Sequence, residues 1–350
     1  MAYSSKGSIA LTTKLRAMHG KRLTQQNYRD LLRKQSVTEI AAYLKQQTFY
    51  SDIMHDINEN SVHRGQLESV LRKQLFADYT KMLHYVGQNE IKFYNFFILR
   101  MEIEEILSCI RALNAGHQNE YIFSLPSYIA EHSKFDLYAL AKVKTYDDLL
   151  NILKNTPFLD ILKKFDPNNE NKLDIVRVEN EFNKYYYSFL LKIIEQNFTG
   201  ITKERIEGSF GIQIDLENIS QIMRLKKYFD VKSDYIKTLL LPFYSKINKN
   251  ELNTIIEAPD AEQAMQALMQ TKYGRLFEPY SFDYIDKYAQ QVIYDNNKKL
   301  LSFSDSSAVS VVSYLQLKRT EINNIISIIE GVRYSLNPSE IEKILTGTTD

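Results

Sequence analysis

Three ten-residue segments align without gaps along this chain: EIEEILSCIR (Glu102–Arg111), DLENISQIMR (Asp215–Arg224) and EINNIISIIE (Glu321–Glu330). An acid opens each, and an apolar residue follows at the second, fifth and ninth positions. In the first copy Ile103, Ile106, Leu107 and Ile110 stand at i, i+3, i+4 and i+7, one face of an α-helix. The third repeats this with Ile322, Ile325, Ile326 and Ile329. The second keeps Leu216, Ile219 and Met223 but has Ser220 where the fourth stripe residue would stand.

An upstream block recurs as well. It reads SVTEIAAYLKQQTFYSDI from Ser36, TYDDLLNILKNTPFLDI from Thr145 and APDAEQAMQALMQTKYGRL from Ala258. Ser36 with Glu39 makes a capping-box pattern, Thr145 with Asp148 approximates one, and Pro259 suits a first helical position. Each short helix is predicted to stop at a Thr with an aromatic two residues on: Thr48/Tyr50, Thr156/Phe158 and Thr271/Tyr273. From that Thr to the acid opening the later segment is between 50 and 59 residues in every copy. A further long helical pattern lies between, near Gln66–Tyr85, Ile175–Gln196 and Phe282–Leu301. Shared order and spacing of two blocks point to triplication, with divisions expected at 1–117, 118–232 and 233–350. Asn114–Glu120 marks the first boundary and Asp230–Lys249 the second; Asp166–Lys172 and Gly208–Gly211 read as loops within copy two.

Composition supports an all-α chain. Eleven Gly and seven Pro in 350 residues are under half of the usual ~7% and ~5%, so tight turns are few. The net charge of +1, from 44 basic and 43 acidic residues, lacks the clustered excess of a nucleic-acid binder and gives no strong attraction to anionic lipid. Cys109 is the only cysteine, which rules out an intrachain disulfide and a thiolate zinc site and fits a reducing, cytoplasmic setting. No signal-peptide pattern and no apolar run near 18 residues is present, so membrane association is expected only through partners.

These segments resemble the C/d subunit family of V-type (V/A-type) ATPases, of the prokaryotic kind. LRAMHGKRLTQQNYRDLL (Leu15–Leu32) is similar to that family's basic first helix and the turn that follows it. The acid-x-x-Asn pattern with a downstream Arg is complete in Asp215, Asn218 and Arg224. Copy one has Glu105 for Asn, and copy three has Glu330 for Arg with Arg333 beyond. SYLQLKRTEINNIISIIEGVRYSLNPSEIEKIL (Ser313–Leu345) resembles the family's last long helix, a Gly-containing break and a short terminal helix. The resemblance implies three helical lobes around a pseudo-threefold axis, forming a socket. It also implies a non-catalytic role on the cytoplasmic face of a membrane. There the central-stalk subunits and the ring of membrane rotor subunits would be partners in proton or sodium transport.

No chemistry is legible. There is no Gly-x-x-x-x-Gly-Lys-Ser/Thr loop, and EGSFG (Glu207–Gly211) reads as a turn. His19, His55, His63, His84, His117 and His132 lack metal-ligand spacing, and Asp56-x-Asn58-x-Asn60 fails as a calcium loop because Ser61 and Leu67 replace its Gly and Glu. No catalytic, cofactor-binding or metal residue is therefore expected. Glu102, Asp215 and Glu321 either face the socket to meet a basic stalk, or favour the N-terminal portions of helices or bond backbone between lobes. Arg111, Arg224 and the basic cluster Lys14, Arg16, Lys21 and Arg22 complete the candidate partner-facing set. One of Tyr185–Tyr187 is expected at a contact between lobes, and Cys109 as a small buried hydrophobe. Two other readings remain. One is a triplicated helical scaffold for an unrelated protein partner. The other is a bundle metal enzyme, which the absence of Glu-x-x-His pairs disfavours.

Overall fold

The computed structural model describes the chain apart from residues 1–2, 56, 59–60, 88–89, 118–124, 168–171, 230, 278–283 and 349–350, and of residues 3–6 it describes the backbone alone. All regular structure among the described residues is helical. The C-terminal part of the Asn114–Glu120 boundary, most of the Asp166–Lys172 loop and the start of the Phe282–Leu301 pattern lie outside them.

Two compact units divide the chain: Val62–Asn197, and Met1–Ser61 with Phe198–Asp350. In the continuous unit α4 (Arg64–Leu83) and α5 (Ile91–Ala115) are followed by short helices α6 (Leu137–Leu140), α7 (Tyr146–Ile152) and α8 (Pro157–Leu162), then α9 (Ile175–Asn197). Helix α9 buries Val178, Phe182, Tyr186, Leu190 and Ile194, at helical spacing, and packs along α5. Phe135, Phe158 and Phe182 interlock edge-on, with centroids 6.0 and 5.9 Å apart. Of the tyrosine triplet, Tyr186 and Tyr187 are buried in this unit, and half-buried Tyr185 lies edge-on to Phe158.

The discontinuous unit contains α1 (Tyr3–Gly20), α2 (Gln25–Leu32) and α3 (Val37–Gln47). From the other end of the chain come α10 (Gly200–Tyr228), α11 (Ser233–Thr238), α12 (Lys249–Glu257), α13 (Ala261–Met269), α14 (Gly274–Phe277), α15 (Ile285–Phe303), α16 (Ser307–Arg333) and α17 (Pro338–Ile344). Helix α16 is the hub, packed against α1, α10 and α15 and burying 17 of its own residues.

Local signals are met with three corrections. Thr145 and Asp148 complete a reciprocal capping box. Ser36 caps Glu39, but the Glu39 carboxylate accepts from Gln35 instead, leaving that box half made. Pro259 precedes the N-cap Asp260 rather than opening the helix. Gly208–Gly211 is no loop, since α10 runs through it unbroken. Glycine costs a helix about 1 kcal/mol, and burial of the flanking Ser209, Phe210 and Ile212 outweighs this. At Gly211 a Cβ would overlap the Ser245 hydroxyl oxygen, so close packing requires the missing side chain.

Candidate functional site

The acid-opened segments lie within α5, α10 and α16, and each acid holds a turn from elsewhere in the chain. Those turns share a pattern: Arg22-Leu23-Thr24, Lys134-Phe135-Asp136 and Lys246-Ile247-Asn248. In each a basic residue precedes a buried apolar one. The third residue caps a helix: Thr24 caps α2, Asp136 caps α6 and Asn248 caps α12. The apolar residue anchors the turn in the core, and the backbone N–H groups ahead of the cap are left pointing at a carboxylate.

Asp215 is fully buried and accepts four hydrogen bonds. Ser245 N–H donates at 3.0 Å, Lys246 N–H at 2.6 Å, Ile247 N–H at 3.2 Å and the Tyr273 hydroxyl at 2.8 Å. Glu321 accepts from Leu23 N–H at 2.7 Å, the Tyr50 hydroxyl at 2.7 Å and the Lys318 ammonium at 2.6 Å. Glu102 accepts from Lys134 N–H at 2.5 Å and more weakly from the Ser133 hydroxyl at 3.4 Å. Its Oε2 is buried without a hydrogen-bond partner, and the Lys134 ammonium stands 3.6 Å away. The order is cyclic. The first repeat's acid meets the second repeat's turn, the second meets the third, and the third meets the first.

The aromatic after the recurring Thr belongs to the same joints. Thr48 and Thr271 end their helices by donating to Leu44 and Leu268 carbonyls while accepting from Tyr50 N–H and Tyr273 N–H. That turn delivers each phenol to its acid. In the second copy the short helix α7 has already ended at Ile152 and Thr156 is the N-cap of α8; it donates likewise to Leu153, but the ring that follows is Phe158, which has no hydroxyl. In the second and third copies the fourth residue of the acid segment adds a second clip. Asn218 exchanges two hydrogen bonds with the Leu241 backbone, and Asn324 two with Thr346. Glu105 in the first copy is a carboxylate and has no amide with which to exchange such a pair. The eighth position is buried in all three, as Cys109, Ile222 and Ile328, so Cys109 is a core residue. Burial, then the Glu105 charge, pushes its thiol up to about 12.

Electrostatics follow from the partners. Burial raises Asp215 above the usual carboxylate range, despite its phenol and backbone donors. Burial likewise raises Glu102, against the opposing Lys134 amide and charge. Burial also works against ionisation at Glu321, but there Lys318, Tyr50 and Leu23 prevail and hold the carboxyl low. Beside Glu321 is a cavity of about 20 Å³ lined by His19, Tyr28, Lys318 and Asn324, room for about one water. Burial and then Arg22 lower His19 to about 4, so it is neutral at pH 7.

The other candidates lie at the surface or serve the fold. Arg111 and Arg224, at the same repeat position, are exposed and pair with Glu179 at 3.2 Å and Asp286 at 4.0 Å. Arg16 donates to the Leu301 and Ser304 carbonyls at 2.9 and 2.8 Å, closing the C-terminus of α15. Lys21 lies over the Phe49 ring at 5.3 Å, Arg22 reaches the His19 carbonyl, and Lys14 is half-buried. Among the described residues no three His, Cys, Asp or Glu come together to hold a metal, and no helix is long and apolar enough to cross a membrane. The basic–apolar–cap turns were missed in the sequence, although KRLT, SKFD and SKIN carry the signal.

The joints define an all-helical protein in which one element, an acid gripping the turn before a helix cap, is used three times. The sequence pattern of the ATP synthase (C/AC39) subunit family matches residues 11–344, and the chain belongs to that family. The C subunit of the A-type ATP synthase from Methanosarcina acetivorans is 25% identical, covering 94% of this chain and 90% of the relative. The proteins of the same name from a Desulfurococcus species and Methanococcoides burtonii are each 22% identical. They cover 95% and 98% of this chain and 88% and 95% of the relatives.

Proposed function

We propose that this chain is the coupling subunit of a rotary ATPase of the A/V type. It would seat the central rotor stalk on the ring of membrane subunits, at the cytoplasmic face and without catalysing a reaction itself. The observation that carries the reading is the family match over residues 11–344, with relatives named as ATP synthase subunits along nearly their whole length. The three repeats, divided at 1–117, 118–232 and 233–350, would form three lobes about a pseudo-threefold axis, with the stalk held in the socket between them. A part that transmits torque needs a stiff body, and buried charge-assisted hydrogen bonds at recurring joints supply stiffness.

With Glu102, Asp215 and Glu321 engaged inside the fold, the residues proposed to meet a partner are the exposed Arg111 and Arg224, with Lys14, Lys21 and Arg22. Surface pairs such as Arg111–Glu179 contribute only about 0–1 kcal/mol and are readily exchanged for a partner's carboxylate. The test is affinity purification of the tagged chain from detergent-solubilised membranes, with identification of what co-purifies. Recovery of head, stalk and ring subunits together is expected, and reduced recovery with Arg224→Glu. Recovery alone or with unrelated soluble proteins would retire the coupling role in favour of a helical scaffold.

A further inference from the structure

The three joints are built on one plan but are not equally made, and the difference has a location. At the Asp215 joint three backbone N–H groups and a phenol converge on the carboxylate, and Asn218 clips the backbone alongside. At the Glu321 joint a backbone N–H, a phenol and an ammonium at 2.6 Å do so, with Asn324 as the clip. The Glu102 joint has neither a phenol nor an amide side chain at the two corresponding positions. Phe158 stands where the others have Tyr50 and Tyr273, and Glu105 where they have Asn324 and Asn218. What remains is one short backbone bond, a hydroxyl at 3.4 Å and an ammonium at 3.6 Å that also lies over the Phe158 ring at 5.8 Å. One buried carboxylate oxygen is left without a hydrogen bond. An unsatisfied buried acceptor carries its full desolvation cost, so letting water in at this joint forfeits less than at the other two.

We propose that the Glu102 joint is the built-in yielding point of the chain, where the turn Ser133–Asp136 detaches from α5 while the Asp215 and Glu321 joints stay closed. Local opening of this kind follows the distribution of hydrogen bonds and contacts rather than global stability. The inference stands on the geometry of the joints and does not depend on the coupling role. A chain that opened at Glu102 but never co-purified with ATPase subunits would retire that role and leave the joint as described.

Amide hydrogen exchange on the isolated full-length chain tests it, read at one donating amide of each joint: Lys134, Lys246 and Leu23. The Lys134 amide is expected to show roughly ten-fold lower protection than the other two, the effect of about one to two missing net hydrogen bonds. Phe158→Tyr places a hydroxyl where Tyr50 and Tyr273 carry theirs, and is expected to raise Lys134 protection roughly five-fold, as one added bond would. Protection at Lys134 equal to or above that at Lys246 and Leu23 would overturn the proposal. So would a folded Phe158→Tyr variant with Lys134 unchanged. Should that variant fail to fold, Tyr273→Phe decides: Lys246 protection falling toward that of Lys134 supports the assignment, and unchanged protection overturns it.

Discussion

Asp215 and Glu321 occupy one repeat position, both buried, yet they respond to pH with opposite sign. Burial holds Asp215 above the ordinary carboxylate range, so the folded chain binds its proton more readily than the unfolded one. Its contribution to stability therefore declines as pH rises from the unfolded carboxylate value to its own raised value. Glu321 is held low by Lys318, Tyr50 and Leu23 once burial is overcome. Its contribution is complete above the unfolded value and is lost as pH falls through its own. Urea unfolding from about pH 2 to pH 7 should show Asp215→Asn removing a decline and Glu321→Gln removing an acid-side loss. At neutral pH Glu321→Gln should also cost about 3 kcal/mol, because the Lys318 ammonium, whose side chain is 15% exposed, loses its partner. The acids were legible as a repeated position, and so were the Thr-x-aromatic endings at Thr48 and Thr271, though not at Thr156, which opens the next helix. Their meeting was not, because a hydrogen bond between Leu23 and Glu321 leaves no trace in local periodicity.

At the level of elements, the C-terminus shows how a correctly noticed glycine can be assigned the wrong task. SIIEGVRYSLNPSE reads as a helix broken at Gly331, but α16 continues to Arg333. The break is a left-handed turn at Ser335, φ 55°, with Ser335 N–H donating to Val332 and Leu336 N–H to Gly331. Gly331 instead admits α17: a Cβ there would overlap Cδ1 of Ile341. Gly331→Ala should destabilise by about 1–3 kcal/mol through overpacking, and by less in an Ile341→Ala background, which a double-mutant cycle on thermal melts will read. Ser335→Gly should stabilise by about 0.5–1 kcal/mol by relieving the left-handed serine. Truncation after Asn337 removes Ile341 and Thr346 together. It leaves the Asn324 amide without its backbone partner and should lower the melting temperature without creating or abolishing any enzymatic activity. Helix existence was readable from stripes and caps. The roles of Gly208–Gly211 and Gly331 were not, since each depends on a neighbour outside its own helix.

For the whole molecule, internal similarity gives the count of repeats but not how the chain parcels them. The continuous unit Val62–Asn197 takes α4 and α5 from the first repeat and the turn, short helices and α9 from the second. It holds its own aromatic core and the complete Glu102 joint, so an excised Val62–Asn197 fragment is expected to be helical and to melt cooperatively by circular dichroism. A non-cooperative fragment would show that this core needs the remainder of the chain. The other unit is assembled from both ends: Arg16 caps α15, Leu23 and Tyr50 bind Glu321, and Tyr28 meets Asn324. During synthesis those first-made helices must therefore wait. At about 5–20 residues per second, the ribosome needs on the order of 15–60 s to travel from Leu23 to Glu321. Throughout that interval α1–α3 have no α16 to cover their apolar faces, while Val62–Asn197 can already have folded. The newborn chain is thus exposed to chaperones and to aggregation at α1–α3, and the synthesis of α16 decides when that exposure ends.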